Sequence, residues 1–216
     1  YLLDVYEINS ELTAYQQREN ITVRNNDFPM LDWMFDPEPY INAYNMIKEE
    51  ACFTEDEVRK IEKVVELSLA PILKMPEYGP MNRSMLRALN LAAAGVSFPD
   101  HKDSALWLKM AKHIFADSLD KWSMEDSPSY QSIWVYSFVV YNDYVPTVNI
   151  NENPMVKYYA DMWARMVSPL GYIPPYGDSN LGHDWMHLAA IMERCATIYQ
   201  SGTLKFAVSR YVSAHL

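Results

Sequence analysis

Glycine is scarce in this chain: six residues in 216. Phosphate cradles built from backbone N–H groups need several glycines in fixed order, and none is found, nor is a Gly-x-Ser-x-Gly elbow. This excludes nucleotide binding of that kind. Cysteine is scarcer still. Cys52 and Cys195 have no metal-like spacing and cannot form a disulfide framework, so both read as buried thiols within helical patterns. Long apolar runs are also missing: Leu89 to Val96 falls far short of the ~20 residues a spanning helix needs. Basic residues are outnumbered 18 to 28, for a net charge of −10. Such a surface repels phosphate backbones and anionic lipid, so neither nucleic acid nor a membrane span is expected.

What the chain has in quantity is apolar and aromatic side chains, 50% and 13% of residues, enough to bury a core over a length that suits one domain. Apolar residues recur at helical spacing through Leu2 to Tyr15, Tyr40 to Ile47, Val58 to Leu73, Met85 to Val96, Ala105 to Leu119, Tyr130 to Tyr141, Met155 to Val167, Trp185 to Tyr199 and Leu204 to Val212. Strand-like alternation is nearly absent, and the one candidate, Thr147 to Ile150, is too short to carry a sheet. Start signals fall between the helical stretches. They are Asp36-Pro37, the capping box Thr54 with Glu57, Ser127-Pro128, and Asn151 to Pro154, with Ser168-Pro169-Leu170-Gly171 as a stop. Helices joined by short connections pack as hairpins, so the expected fold is all-α. The small run Ala92-Ala93-Ala94-Gly95 predicts a close helix–helix approach.

Three segments depart from plain core-and-surface patterning: Gly79-Pro80-Met81-Asn82-Arg83, Glu125 to Trp134, and Ile173 to Asn180. All begin helices or occupy loops, where functional groups are displayed. Asn82 also stands where a helix cap is expected, and Tyr130, Trp134, Phe138 and Tyr141 share a helical face that core packing alone would explain. A fourth segment, His183-Asp184-Trp185-Met186-His187, puts two histidines at i and i+4. That spacing suits zinc, though the acid between them is Asp rather than Glu and no third ligand is evident.

The three segments, in this order and separated by helical hairpins, resemble the (α/α) toroid domain of heparinase II/III-like and alginate-lyase-like polysaccharide lyases. The similarity covers about Gly79 to Ala190, and Tyr176-Gly177-Asp178-Ser179 is its most specific piece. The resemblance implies helical hairpins arranged as a partial toroid over residues 1–216, a single domain or a fragment of one from a longer chain. It also implies β-elimination on a uronate-containing polysaccharide, with no cofactor and a secreted or periplasmic location. Asn82 and Arg83 would neutralise the uronate carboxylate, without which the C5 carbanion cannot form. Tyr130, Tyr176 and one of His183 or His187 would move protons. Gln131, Trp134, Asp178 and Trp185 would line the substrate cleft.

No histidine lies between His113 and His183, where this family often has one; that favours an alternative, a glycan-binding or scaffold module without turnover. A zinc hydrolase on His183 and His187 is the third reading. Two spatial expectations follow. Asn82, Tyr130, Tyr176 and His183 should share one mouth, and an unclosed ring should leave an apolar edge near Leu2 to Tyr15 or Leu204 to Val212, open to a further domain or an oligomer partner.

Overall fold

The computed structural model describes residues 37–50, 53–74, 77–120, 127–179 and 185–215, the side chains of Lys74, Asp120 and Trp185 excepted. Among these residues three-quarters are helical and none is in a strand. Eight α-helices follow one another: α1 Pro37–Ile47, α2 Glu55–Lys74, α3 Asn82–Ser97, α4 Ser104–Asp120, α5 Pro128–Tyr144, α6 Pro154–Met166, α7 Trp185–Ile198 and α8 Gly202–Ser213. They correspond to eight of the nine helical stretches expected from periodicity; Leu2 to Tyr15 lies outside the described residues.

Local chemistry sets the helix starts. Before α2, the Thr54 N–H donates to Glu57 Oε2 at 2.8 Å while the Glu57 N–H donates to Thr54 Oγ1 at 3.3 Å, a closed capping box. The Thr54 N–H, with the Thr54 hydroxyl that also donates to Oε2 at 2.8 Å, holds the Glu57 carboxyl below its usual pKa. Ser127 Oγ accepts from the Tyr130 N–H at the head of α5, with Pro128 just inside. Asn153 Oδ1 accepts from the Met155 and Val156 N–H groups at the head of α6, where Pro154 has no N–H to leave orphaned. Thr147 to Ile150 is a turn rather than a strand. Asn142 Oδ1 accepts from the N–H groups of Thr147 and Val148, and a 3₁₀ turn, Ile150–Glu152, follows.

The chain divides into two compact units. The first holds the described residues up to Glu77 together with Leu86–Ala116. Here α1 packs on α2 and is tied to α3 by the Glu38 N–H on Asn90 Oδ1, by Asn45 Nδ2 on Ser97 Oγ, and by Tyr44 stacked on Phe98. The small run on α3 is fully buried, and a Cβ added at Gly95 would fall 2.6 Å from Leu108 Cγ. At Gly95 the lack of a side chain lets Leu108 of α4 come close to α3. Arg87, also buried, pairs with Glu77. Desolvation brings its guanidinium pKa down to about 10.

The second unit holds Tyr78–Met85 and the described residues from Asp117 onward. Helices α6, α7 and α8 pack pairwise on one another, and α5 packs on α7. Arg194 of α7 grips Asp143 at the end of α5 through two bonds of 2.6 Å. On α8, Leu204, Ala207, Val208 and Tyr211 are all buried. Most of the stripe at Leu204 to Val212, where an apolar edge was expected, is used internally, and Phe206, 64% exposed, is the part it leaves to water; Leu2 to Tyr15 lies outside the described residues.

Candidate functional site

A cluster of polar contacts between distant segments joins the first turn of α5 to the loop Ile173 to Ser179. The Ser127 cap and Pro128 fix where α5 begins, which places Ser129, Tyr130 and Gln131 together on its opening turn. Hydrogen bonds from three residues of that turn tie it to the loop, the Ser129 N–H on Ser179 Oγ at 3.4 Å among them. Tyr130 Oη donates to Asp178 Oδ2 at 2.6 Å, and Tyr176 Oη donates to Gln131 Oε1 at 2.9 Å. Ser129 Oγ and Ser179 Oγ lie 3.1 Å apart. Gly177, at φ +57, supplies the turn that sends Tyr176 and Asp178 to different partners on the same helix end.

The two phenols sit in different surroundings. Gln131 is almost fully buried, and Tyr176 is half-buried beside it. Desolvation pushes the Tyr176 hydroxyl above the ordinary phenol pKa; the Gln131 bond opposes this and the neighbouring Tyr158 hydroxyl adds to it. Tyr176 therefore keeps its proton over a wide pH range and can donate it. Tyr130 is half-buried and Asp178 exposed, so their short bond is at the protein surface, within reach of a ligand. A phenol oxygen whose own proton already points at a carboxylate can take a proton from outside and hand its own on.

The remaining candidates differ in their surroundings. Asn82 is the first residue within α3 rather than its cap: Met81 holds the cap position, its carbonyl accepting from the Met85 N–H. Arg83, next along, is exposed, and both belong to the same unit as the tyrosine cluster. Trp134 does not line a cleft. It is 5% exposed, stacked on Phe138, and its Nε1–H donates to Ser118 Oγ at 3.0 Å. It lies one turn beyond Tyr130, on the part of the stripe that faces the core. His187 is half-buried, edge-on to the Tyr136 ring at 4.9 Å. His183 and the Trp185 side chain lie outside the described residues. Among the described residues no three of His, Cys, Asp and Glu come together as a metal site would require.

Ser129 and Ser179 lie in two of the segments singled out above but were given no role there, and Tyr158 lies in none of them. The two serines are fifty residues apart, and no periodic signal connects a helix start to a loop at that distance. No family model, curated protein or solved structure matches the chain.

Proposed function

We propose that this chain is part of a helical toroid that binds a uronate-containing glycan and cleaves it by β-elimination at the Tyr130–Asp178 and Tyr176–Gln131 pairs. The observation that supports this best is the pairing itself. Two phenols with different proton partners, donated by segments 45 and 48 residues apart, meet on one helix end, whereas packing needs apolar contact rather than hydroxyls.

In this reading Tyr130 removes the C5 proton of the uronate as its own proton passes to Asp178. Tyr176, held protonated by its surroundings, returns a proton to the departing glycosidic oxygen. Asn82 and Arg83, from the start of α3, neutralise the uronate carboxylate, and that neutralisation makes the C5 proton acidic enough to leave. Gln131 orients Tyr176. The products are a new reducing end and a chain end carrying a C4–C5 double bond.

Incubation with a panel of uronate polysaccharides tests this, because the unsaturated product absorbs in the ultraviolet and the substrate does not. A rise on at least one substrate is expected; no rise on any of them refutes the elimination. The absence of histidine between His113 and His183 favours a second reading, glycan binding without turnover. Retardation in glycan gels without product would support that instead.

A further inference from the structure

A groove of about 400 Å³ opens where the Ser168–Gly171 turn meets α8, a volume on the scale of small-ligand sites. The α8 side is a single helical stripe, Phe206, Ser209, Arg210 and Ser213, spaced i, i+3, i+4 and i+7. Leu170 forms the opposite wall.

Three features make this more than a surface dent. Leu170 and Phe206 are 79% and 64% exposed, a large apolar area left to water on the two sides of one groove. Among the described residues Arg210 is the only charged one lining it, in a chain of net charge −10, and no described carboxylate pairs with it. Its guanidinium is held in place from two sides, by the Pro169 carbonyl and by the Phe206 ring at 5.5 Å. An immobilised guanidinium has little freedom left to lose when it binds a carboxylate, and its planar fork suits that group. An exposed aromatic face and two serine hydroxyls beside it suit a ring that is apolar on its faces and hydroxylated at its edge.

We infer that this groove is a subsite for one acidic sugar ring of a glycan chain, with the ring carboxylate on Arg210 and the sugar face against Phe206 and Leu170. The identity of the ligand rests on the uronate reading above. The groove also suits the same chain as the tyrosine cluster, because one connecting segment carries both. Gly171 borders the groove and Asp178 the cluster, seven residues on, so at most about 25 Å of extended backbone separates them. A chain of several sugars spans that distance, and holding it at two points raises its effective concentration at the site of cleavage.

Affinity electrophoresis of the 216-residue chain in polyuronate gels, with carboxyl-reduced glycan gels as the neutral control, tests this without requiring turnover. Arg210→Gln and Phe206→Ala should each weaken retardation in the acidic gel about tenfold, the scale of one charge-assisted contact or one stacked ring, and Arg210→Gln should leave the neutral gel unchanged. Phe206→Ala is the second variant because Arg210 also holds the 168–171 turn. Wild-type retardation in either variant overturns the subsite. If both variants lose retardation while the wild type forms no unsaturated product, the subsite stands and the elimination falls. If the wild type forms product and both variants migrate as it does, the elimination stands and the subsite falls.

Discussion

At the scale of single residues, burial decides what the ionisable groups can do. Cys195 is 1% exposed and desolvation pushes its thiol pKa up to about 12; Tyr199, one turn on, is likewise pushed up to about 12. In the unfolded chain these groups ionise from their ordinary 9.0 and 10.0. Between those values and about 12 the unfolded state binds fewer protons than the folded one. Their contribution to stability is therefore complete below pH 9 and is lost as the pH climbs toward 12. Urea midpoints should fall over that window, and Cys195 should resist alkylation at neutral pH until the chain is unfolded. The two core indoles offer a contrast. Trp134 Nε1–H has Ser118 as acceptor, whereas Trp163, fully buried, has no acceptor for its Nε1–H among the described residues. Beyond the common loss of volume, Trp134→Phe should cost about 1 kcal/mol more than Trp163→Phe, since only the first breaks a bond and strands an acceptor. Equal denaturation midpoints would contradict this. The stripe at Tyr130 was legible in the sequence, but which of its rings the fold leaves at the surface was not. Periodicity gives a face, and neighbours from elsewhere in the chain decide whether that face is covered.

At the scale of elements, the sequence was most informative. Thr54 with Glu57, Ser127-Pro128 and the Asn-Pro step before α6 are local signals whose bonds form within three residues, so no tertiary knowledge was needed to read them. Asn82 shows the limit: the same residue type one position further in is no longer a cap. Thr54→Ala should lower stability by about 1 kcal/mol by opening the capping box, measured as a shift in urea midpoint without change in slope. Gly171 is held more strictly. Its φ is +88, and an added Cβ would sit 2.5 Å from the Arg210 carbonyl oxygen and 2.6 Å from Ala214 Cβ. Gly171→Ala should cost at least about 2 kcal/mol, from backbone strain and overlap together. A melting curve equal to wild type would show that the turn and α8 are not packed in this way.

At the scale of the whole molecule, the chain builds its second unit by bringing remote segments together, and this is what periodicity cannot show. Nothing in the spacing of Tyr130, Asp178, Gln131 and Tyr176 announces that they pair across 45 to 48 residues; resemblance to lyase segments was the only signal that grouped them. The groove on α8 carried no such signal, because Phe206 and Arg210 read as members of an ordinary amphipathic helix. If elimination occurs, Tyr176 as the proton donor sets the alkaline limit of activity. Its raised pKa places that limit above the ordinary phenol value, so the rate should hold through neutral pH and fall only on the far alkaline side. The most direct measurement is the initial rate of unsaturated-product formation by the wild type and by Tyr130→Phe on one polyuronate, with matching circular dichroism to show that both are folded. Removing one hydroxyl should lower the rate at least about a hundredfold, the contribution of a positioned acid–base group, while glycan-gel retardation stays close to wild type. Wild-type turnover in Tyr130→Phe would contradict the assignment of Tyr130 and Asp178 as the proton-transfer pair.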